Sequence, residues 1–191
     1  MPRFTLAATL MLMSLEPLAA ATFVQLTGEP GEYVSGGNSY YFTRSDGTFA
    51  FQTQFDKAIT IQFRQTSPPY HWFDLTFKPY PGERLEPGIY PDATRWPFQI
   101  QRPGLTVAGD GRGCNMSSGN FEVISSTYDA NGNIQSLHVR FEQFCESPSA
   151  PRLSGEALLE ADAVVPTLSE WAAMLLVIAL GIAGAFVMRT S

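Results

Sequence analysis

From Ile59 to Arg64 the chain places a large apolar side chain on every second residue, Ile59, Ile61 and Phe63, with Thr60, Gln62 and Arg64 between them. An amphipathic helix needs apolar residues three and four apart. A period of two instead sends alternate side chains to opposite faces of an extended strand. The pattern recurs in Phe49, Phe51 and Phe55, in Phe73, Leu75 and Phe77, in Phe98 and Ile100, in Phe121 and Val123, and in Leu137, Val139 and Phe141. No stretch between Thr22 and Ala161 carries helical periodicity. Asp46-Gly47 and Asn131-Gly132 read as two-residue hairpin turns, because Gly and Asn tolerate the positive φ such turns require. The second should join a strand over 121–128 to one over 134–144. A loop, Ser147 to Pro151, precedes a last strand from Leu153 to Leu159. The expected fold is all-β, an antiparallel β-sandwich or partly closed barrel of about eight to ten strands.

Both ends of the chain differ from this body. Arg3, the apolar run Phe4 to Leu15 and Ala19-Ala20-Ala21 have the three parts of a secretory signal peptide, with cleavage expected after Ala21. At the other end, Trp171 to Met188 carries no charge. About 18 residues at ~1.5 Å rise lie near the lower limit for crossing a hydrocarbon core of roughly 30 Å. Arg189 follows on the side where cytoplasmic positive charge is preferred, and Trp171 stands at the opposite headgroup boundary. Pro166 keeps Val165 out of helical backbone, so the segment before the span should be extended and open to a processing enzyme. The division is therefore a signal peptide over 1–21, an exported β-domain over 22–162, and a sorting motif with transmembrane helix and short basic tail over 163–191. The β-domain, roughly 140 residues, suffices for one core.

The tail Val165-Pro166-Thr167-Leu168-Ser169-Glu170-Trp171 resembles the IPTL-CTERM sorting signal of Gram-negative bacteria, written Ile-Pro-Thr-Leu-x-x-Trp-Gly. Pro166, Thr167, Leu168 and Trp171 match it in place. Val165 stands for Ile, Ala172 for Gly, and Arg189 alone for the basic cluster. The resemblance implies cutting near the motif by an exosortase-type membrane enzyme, after transit through the inner membrane by residues 171–188, and delivery to the cell surface or an extracellular polysaccharide. A permanent membrane anchor is the plainer reading of the same apolar segment. Gly111-Arg112-Gly113-Cys114-Asn115, with Gly119-Asn120-Phe121-Glu122-Val123 and Phe141-Glu142-Gln143-Phe144-Cys145, is similar to a motif set of uncharacterised exported bacterial proteins. That similarity implies only that the cysteines belong to the fold.

Cys114 and Cys145 are the only cysteines. An even count in an exported chain reads as a disulfide, and Cys145 shares the inward parity of Leu137, Val139 and Phe141. Closing a loop of about 30 residues contributes roughly 3 to 4 kcal/mol in the chain-entropy treatment.

With 18 acidic against 12 basic residues the formal charge is −6, and no basic run is present, which argues against nucleic acid as a partner. The chain lacks Gly-x-Ser-x-Gly, His-Glu-x-x-His and a phosphate-binding glycine loop, and its two histidines, His71 and His138, stand far apart. Asp74, Glu83, Glu86, Glu122 and Glu142 could supply a glycosidase pair only if the fold brought two together. Asp129, Asn131 and Asn133 alternate like half a calcium loop, but the Asn-Gly turn explains the same residues. No catalytic residue, metal ligand or cofactor is therefore assigned.

If Phe73, Leu75 and Phe77 face the core, Tyr70, Trp72, Asp74 and Thr76 face outward. A flat aromatic beside hydrogen-bonding groups suits the apolar face of a sugar. Trp72 could equally be covered by a loop or a second sheet. His138, Arg140 and Glu142 form another outward row, read as a solvated strand face. The expected role is non-enzymatic, structural or adhesive. A module binding carbohydrate or exopolysaccharide through Tyr70, Trp72 and Asp74 ranks second, and a secreted hydrolase third.

Overall fold

The computed structural model describes residues 22–161 and Leu175. The signal peptide, the sorting residues Val165, Pro166, Thr167, Leu168, Trp171 and Arg189, and the apolar span apart from Leu175 lie outside the described residues. The described body is all-β: β1 (Phe23–Gly28), β2 (Ser39–Thr43), β3 (Gly47–Thr53), β4 (Ile59–Gln65), β5 (Trp72–Lys78), β6 (Gly88–Arg95), β7 (Gly104–Gly109), β8 (Ser117–Tyr128), β9 (Ile134–Cys145) and β10 (Arg152–Glu160). They form one sheet in the order β2-β1-β10-β9-β8-β6-β7-β5-β4-β3, nearly closed into a barrel. Neighbours are antiparallel except β6 and β7, which run parallel over two residue pairs.

β2 and β3 are consecutive in the chain yet end the sheet on opposite sides. The turn between them makes this step. The Asp46 carboxylate accepts the Thr43 N–H and hydroxyl, both at 2.8 Å, while the Asp46 N–H bonds back to the Thr43 carbonyl. Asp46-Gly47 is thus no hairpin turn between paired strands, contrary to the sequence expectation. Gly47 instead opens β3 against Gln65, where a Cβ would meet the Arg64 carbonyl oxygen at 2.2 Å. The two sheet ends meet through side chains in the core: Phe42 of β2 stacks on Phe63 of β4 at 4.2 Å, and Tyr40 leans on Phe73 at 5.2 Å.

The inward set follows the alternation. Ile59, Ile61, Phe63, Phe73, Leu75, Phe77, Phe121, Val123, Leu137, Val139, Phe141, Leu153 and Leu159 are all buried. Phe77 reaches Phe121 and Phe141 across the interior, at 5.4 and 5.8 Å between ring centroids. Each such ring contributes about 1.5–3 kcal/mol by leaving water.

Two short runs depart from expectation. Phe55 is 93% exposed because the chain turns at Gln54–Ala58, where the Lys57 and Gln54 N–H groups close the bend. Phe98 and Ile100 are 68% and 82% exposed and belong to no strand. They lie in the connection that carries β6 into parallel β7, and a turn closes there from the Phe98 N–H to the Arg95 carbonyl. The Asn131-Gly132 hairpin does join β8 to β9, with a slightly longer loop: the Asp129 N–H bonds the Asn133 carbonyl, and Gly132 takes φ +84°.

The edge of β7 away from β5 has β6 beside it only at Gly104 and Leu105. Its remaining polar groups are met by other means. Ser117 Oγ donates to the Leu105 carbonyl, and Arg112 folds back to exchange two backbone bonds with Gly109. Gln143, inward on β9 and 1% exposed, covers Val107: its Oε1 accepts the Val107 N–H at 2.8 Å and its Nε2 donates to the Val107 carbonyl at 3.1 Å. A side-chain amide thus replaces a missing strand residue. The same Nε2 lies 3.4 Å from the Cys114 sulfur, beside the Cys114–Cys145 disulfide that ties the segment before β8 to the end of β9.

Candidate functional site

The outward faces of β4 and β5 carry the site. Register sets Arg64 opposite Trp72, Gln62 opposite Asp74 and Thr60 opposite Thr76. Arg64 therefore reaches both neighbours: its guanidinium carbon lies 5.4 Å from the Trp72 ring centroid, and Nη1 donates to Asp74 Oδ1 at 2.6 Å. The same nitrogen donates to the Phe63 carbonyl at 2.8 Å, so the guanidinium is anchored to the strand. Trp72 is half-buried, neither fully exposed nor sealed under a second layer.

Tyr70 enters from the turn before β5. Its N–H bonds the Ser67 carbonyl, its backbone is left-handed at φ +62°, and 61% of the residue is exposed. Such a φ is uncommon for a bulky residue and marks an orientation held by its surroundings. The residue that follows it is held from two sides. The His71 N–H donates to Gln65 Oε1, and its ring Nδ1 lies 2.5 Å from Asp110 Oδ2. Asp110 Oδ1 accepts the Trp72 N–H at 3.0 Å, and the Asp110 N–H returns to the Trp72 carbonyl. Asp110, at the end of β7, therefore clamps the base of β5 from both sides.

Tyr70, Trp72 and Asp74 line one depression together with Arg64, Gln65 and His71. The three sequence-selected residues are thus brought together. Arg64 was visible in the sequence only as an alternating residue, and Asp110 carried no signal because its role arises from packing between distant segments. Neither histidine ring has a serine, threonine or cysteine hydrogen-bonded to it among the described residues: His71 meets Asp110 and His138 meets Glu156.

The second outward row is an ion-pair ladder. Glu156 of β10 faces Arg140 and His138 of β9, at 3.0 and 2.6 Å, and Arg152 joins Glu142 at 2.8 Å. Hydrogen bonds from Arg140, then from His138, hold the Glu156 carboxyl below its ordinary pKa. In the β8–β9 loop Asp129 accepts bonds from the Asn131 N–H and from the Asn133 N–H and side chain. Those bonds, the Asn133 side chain first, depress its pKa and direct its oxygens into the turn. Among the described residues no group of three or more His, Cys, Asp or Glu side chains is placed to hold a metal ion.

Comparison of the chain with protein-family models, curated proteins and solved structures returned no match.

Proposed function

We propose that this protein is exported, sorted by its C-terminal signal through an exosortase-type membrane enzyme, and displayed at the cell surface or in the extracellular matrix. There its β-domain has a non-enzymatic, adhesive role, holding polysaccharide on the Tyr70–Trp72–Asp74 patch. The observation that carries the reading is the patch itself. An exposed tyrosine and a half-buried tryptophan stand beside Asp74 and Arg64, whose polar atoms can pair with sugar hydroxyls while the rings cover an apolar sugar face. The Asp110 clamp holds the Trp72 backbone, and the Arg64–Asp74 bond holds the polar pair beside it, before any ligand arrives, which lowers the ordering cost of binding. A disulfide suits an oxidising compartment, and the resemblance of the tail to the IPTL-CTERM signal supplies the route.

The test is retention of the natively purified protein by extracellular polysaccharide from the producing cells. Wild type should be retained, and Trp72→Ala and Tyr70→Ala should elute early with unchanged circular dichroism. Equal retention of all three would remove the patch from the proposal.

A further inference from the structure

Asp74 lines two depressions. The second, of about 430 Å3, crosses the outward faces of β4, β5 and β7 beside the Tyr70–Trp72 patch. Its wall is Trp96, in the connection from β6 to β7. The Trp96 N–H donates to Thr106 Oγ1 at 3.1 Å, the Thr106 hydroxyl donates back to the Trp96 carbonyl at 3.0 Å, and the indole Nε1 donates to Asp56 in the β3–β4 turn at 3.1 Å. Anchored on β7 at one side and on the β3–β4 turn at the other, Trp96 lines the depression together with Thr60, Thr76 and Thr106. Thr60 and Thr76, outward by parity, are 4% exposed and bond each other, and Gln54 Nε2 donates to Thr60 Oγ1 at 3.1 Å.

The rest of the lining is rich in unused hydrogen-bonding capacity. The side-chain amides of Gln52, Gln62 and Asn115 have no protein partner among the described residues, and each offers two donors and an acceptor. Asp74 is paired with Arg64. Arg95 has no carboxylate partner among the described residues; its Nη1 donates to the Asn115 carbonyl at 2.7 Å and its guanidinium lies over the Phe98 ring. The net charge of −6 disfavours an anionic chain. β4 and β5, which floor the cleft, are each paired on both sides and offer a peptide strand no edge, while β3, which carries Gln52, ends the sheet.

We infer that this cleft and the Tyr70–Trp72 patch form one extended site for a neutral polysaccharide strand, with a sugar ring on Trp96 and its hydroxyls on Gln52, Gln62 and Asn115. The inference rests on the polysaccharide reading above and names its ligand class. From the level of Trp72 to that of Thr76 the strand rises about 13 Å at ~3.3 Å per residue, so the site accommodates more than a single ring. Affinity should therefore grow with oligosaccharide length.

The experiment is affinity electrophoresis and calorimetry of the natively purified protein against dextran, laminarin and soluble cellulose derivatives without charge, with alginate and hyaluronan as anionic probes. A length series of oligosaccharides follows for any polymer bound. Wild type should bind a neutral polymer. Trp96→Ala should weaken it at least about tenfold, as truncation of an aromatic anchor does. Gln62→Ala should weaken it roughly threefold to tenfold, the loss of one neutral hydrogen bond. Trp96→Phe, which keeps an aromatic face, should retain part of the affinity. If Trp96→Ala unfolds, Trp96→Phe and Gln62→Ala decide the matter. Wild-type affinity in Trp96→Phe and Gln62→Ala, with binding lost in Trp72→Ala, would overturn the cleft and leave the patch standing. Binding to anionic polymers alone would overturn the ligand class, and binding to no polymer would overturn both readings.

Discussion

Replacing Gln143 by Leu tests the idea that a side chain completes the β7 edge. The change is close to isosteric, so little cavity is made. It removes the acceptor of the Val107 N–H and the donor to the Val107 carbonyl, both in the interior. Each buried backbone group left without a partner costs about 1–3 kcal/mol, giving roughly 2–6 kcal/mol together. Burying an apolar side chain in place of an amide offsets about 1–2 kcal/mol of this. The midpoints of these ranges leave a net loss of about 2.5 kcal/mol, a large share of the ~5–15 kcal/mol available to a domain of this kind. Guanidinium unfolding with the disulfide intact should show a lower midpoint at unchanged slope. Gln143→Glu should be worse near neutral pH, because a carboxylate would face the Val107 carbonyl. Burial raises such a carboxyl's folded-state pKa, so this variant should recover as pH falls and the protonated acid can donate. A Gln143→Leu protein within about 0.5 kcal/mol of wild type would show that Val107 is satisfied otherwise.

Removing the Cys114–Cys145 bridge, which spans a sequence separation of 31, should lower stability by about 3–4 kcal/mol, read from unfolding midpoints of the double serine variant. The Leu85 carbonyl accepts both Ser126 Oγ at 2.9 Å and Tyr128 Oη at 2.8 Å. Ser126→Ala and Tyr128→Phe should therefore each cost about 0.5–1.5 kcal/mol, while the double variant should exceed their sum by leaving the carbonyl bare. Glu156, whose folded pKa is depressed, stabilises the fold above the ordinary carboxylate range, and that contribution is lost as pH falls through the folded value. Glu156→Gln should accordingly cost up to about 1 kcal/mol near neutral pH and almost nothing in strong acid, in a pH series of unfolding curves.

The alternation was legible wherever it ran over a whole strand. Ile59 to Phe63, Phe73 to Phe77 and Leu137 to Phe141 all point as their parity requires, because one-residue slips would bury Arg64 or Asp74. Phe98 and Ile100 misled because two apolar residues do not distinguish a strand from a turn whose ring is covered by Arg95. Asp46-Gly47 carries the residues of a hairpin turn, and only the contacts of Phe42 with Phe63 reveal that its flanking strands belong to opposite sheet ends. At the candidate site parity brought out Tyr70, Trp72 and Asp74. The Asp110 clamp, the Gln143 amide and the Trp96 wall were illegible, since each joins segments that become neighbours only when the sheet curls.

Intact mass of the native protein after thiol alkylation, taken separately on inner-membrane, cytoplasmic and extracellular fractions, tests the exported and sorted reading most directly. A species outside the inner membrane that begins at Thr22, lacks residues 171–188 and carries no alkyl group on Cys114 or Cys145 is the expected result. A full-length species confined to the cytoplasm with both cysteines alkylated would contradict it.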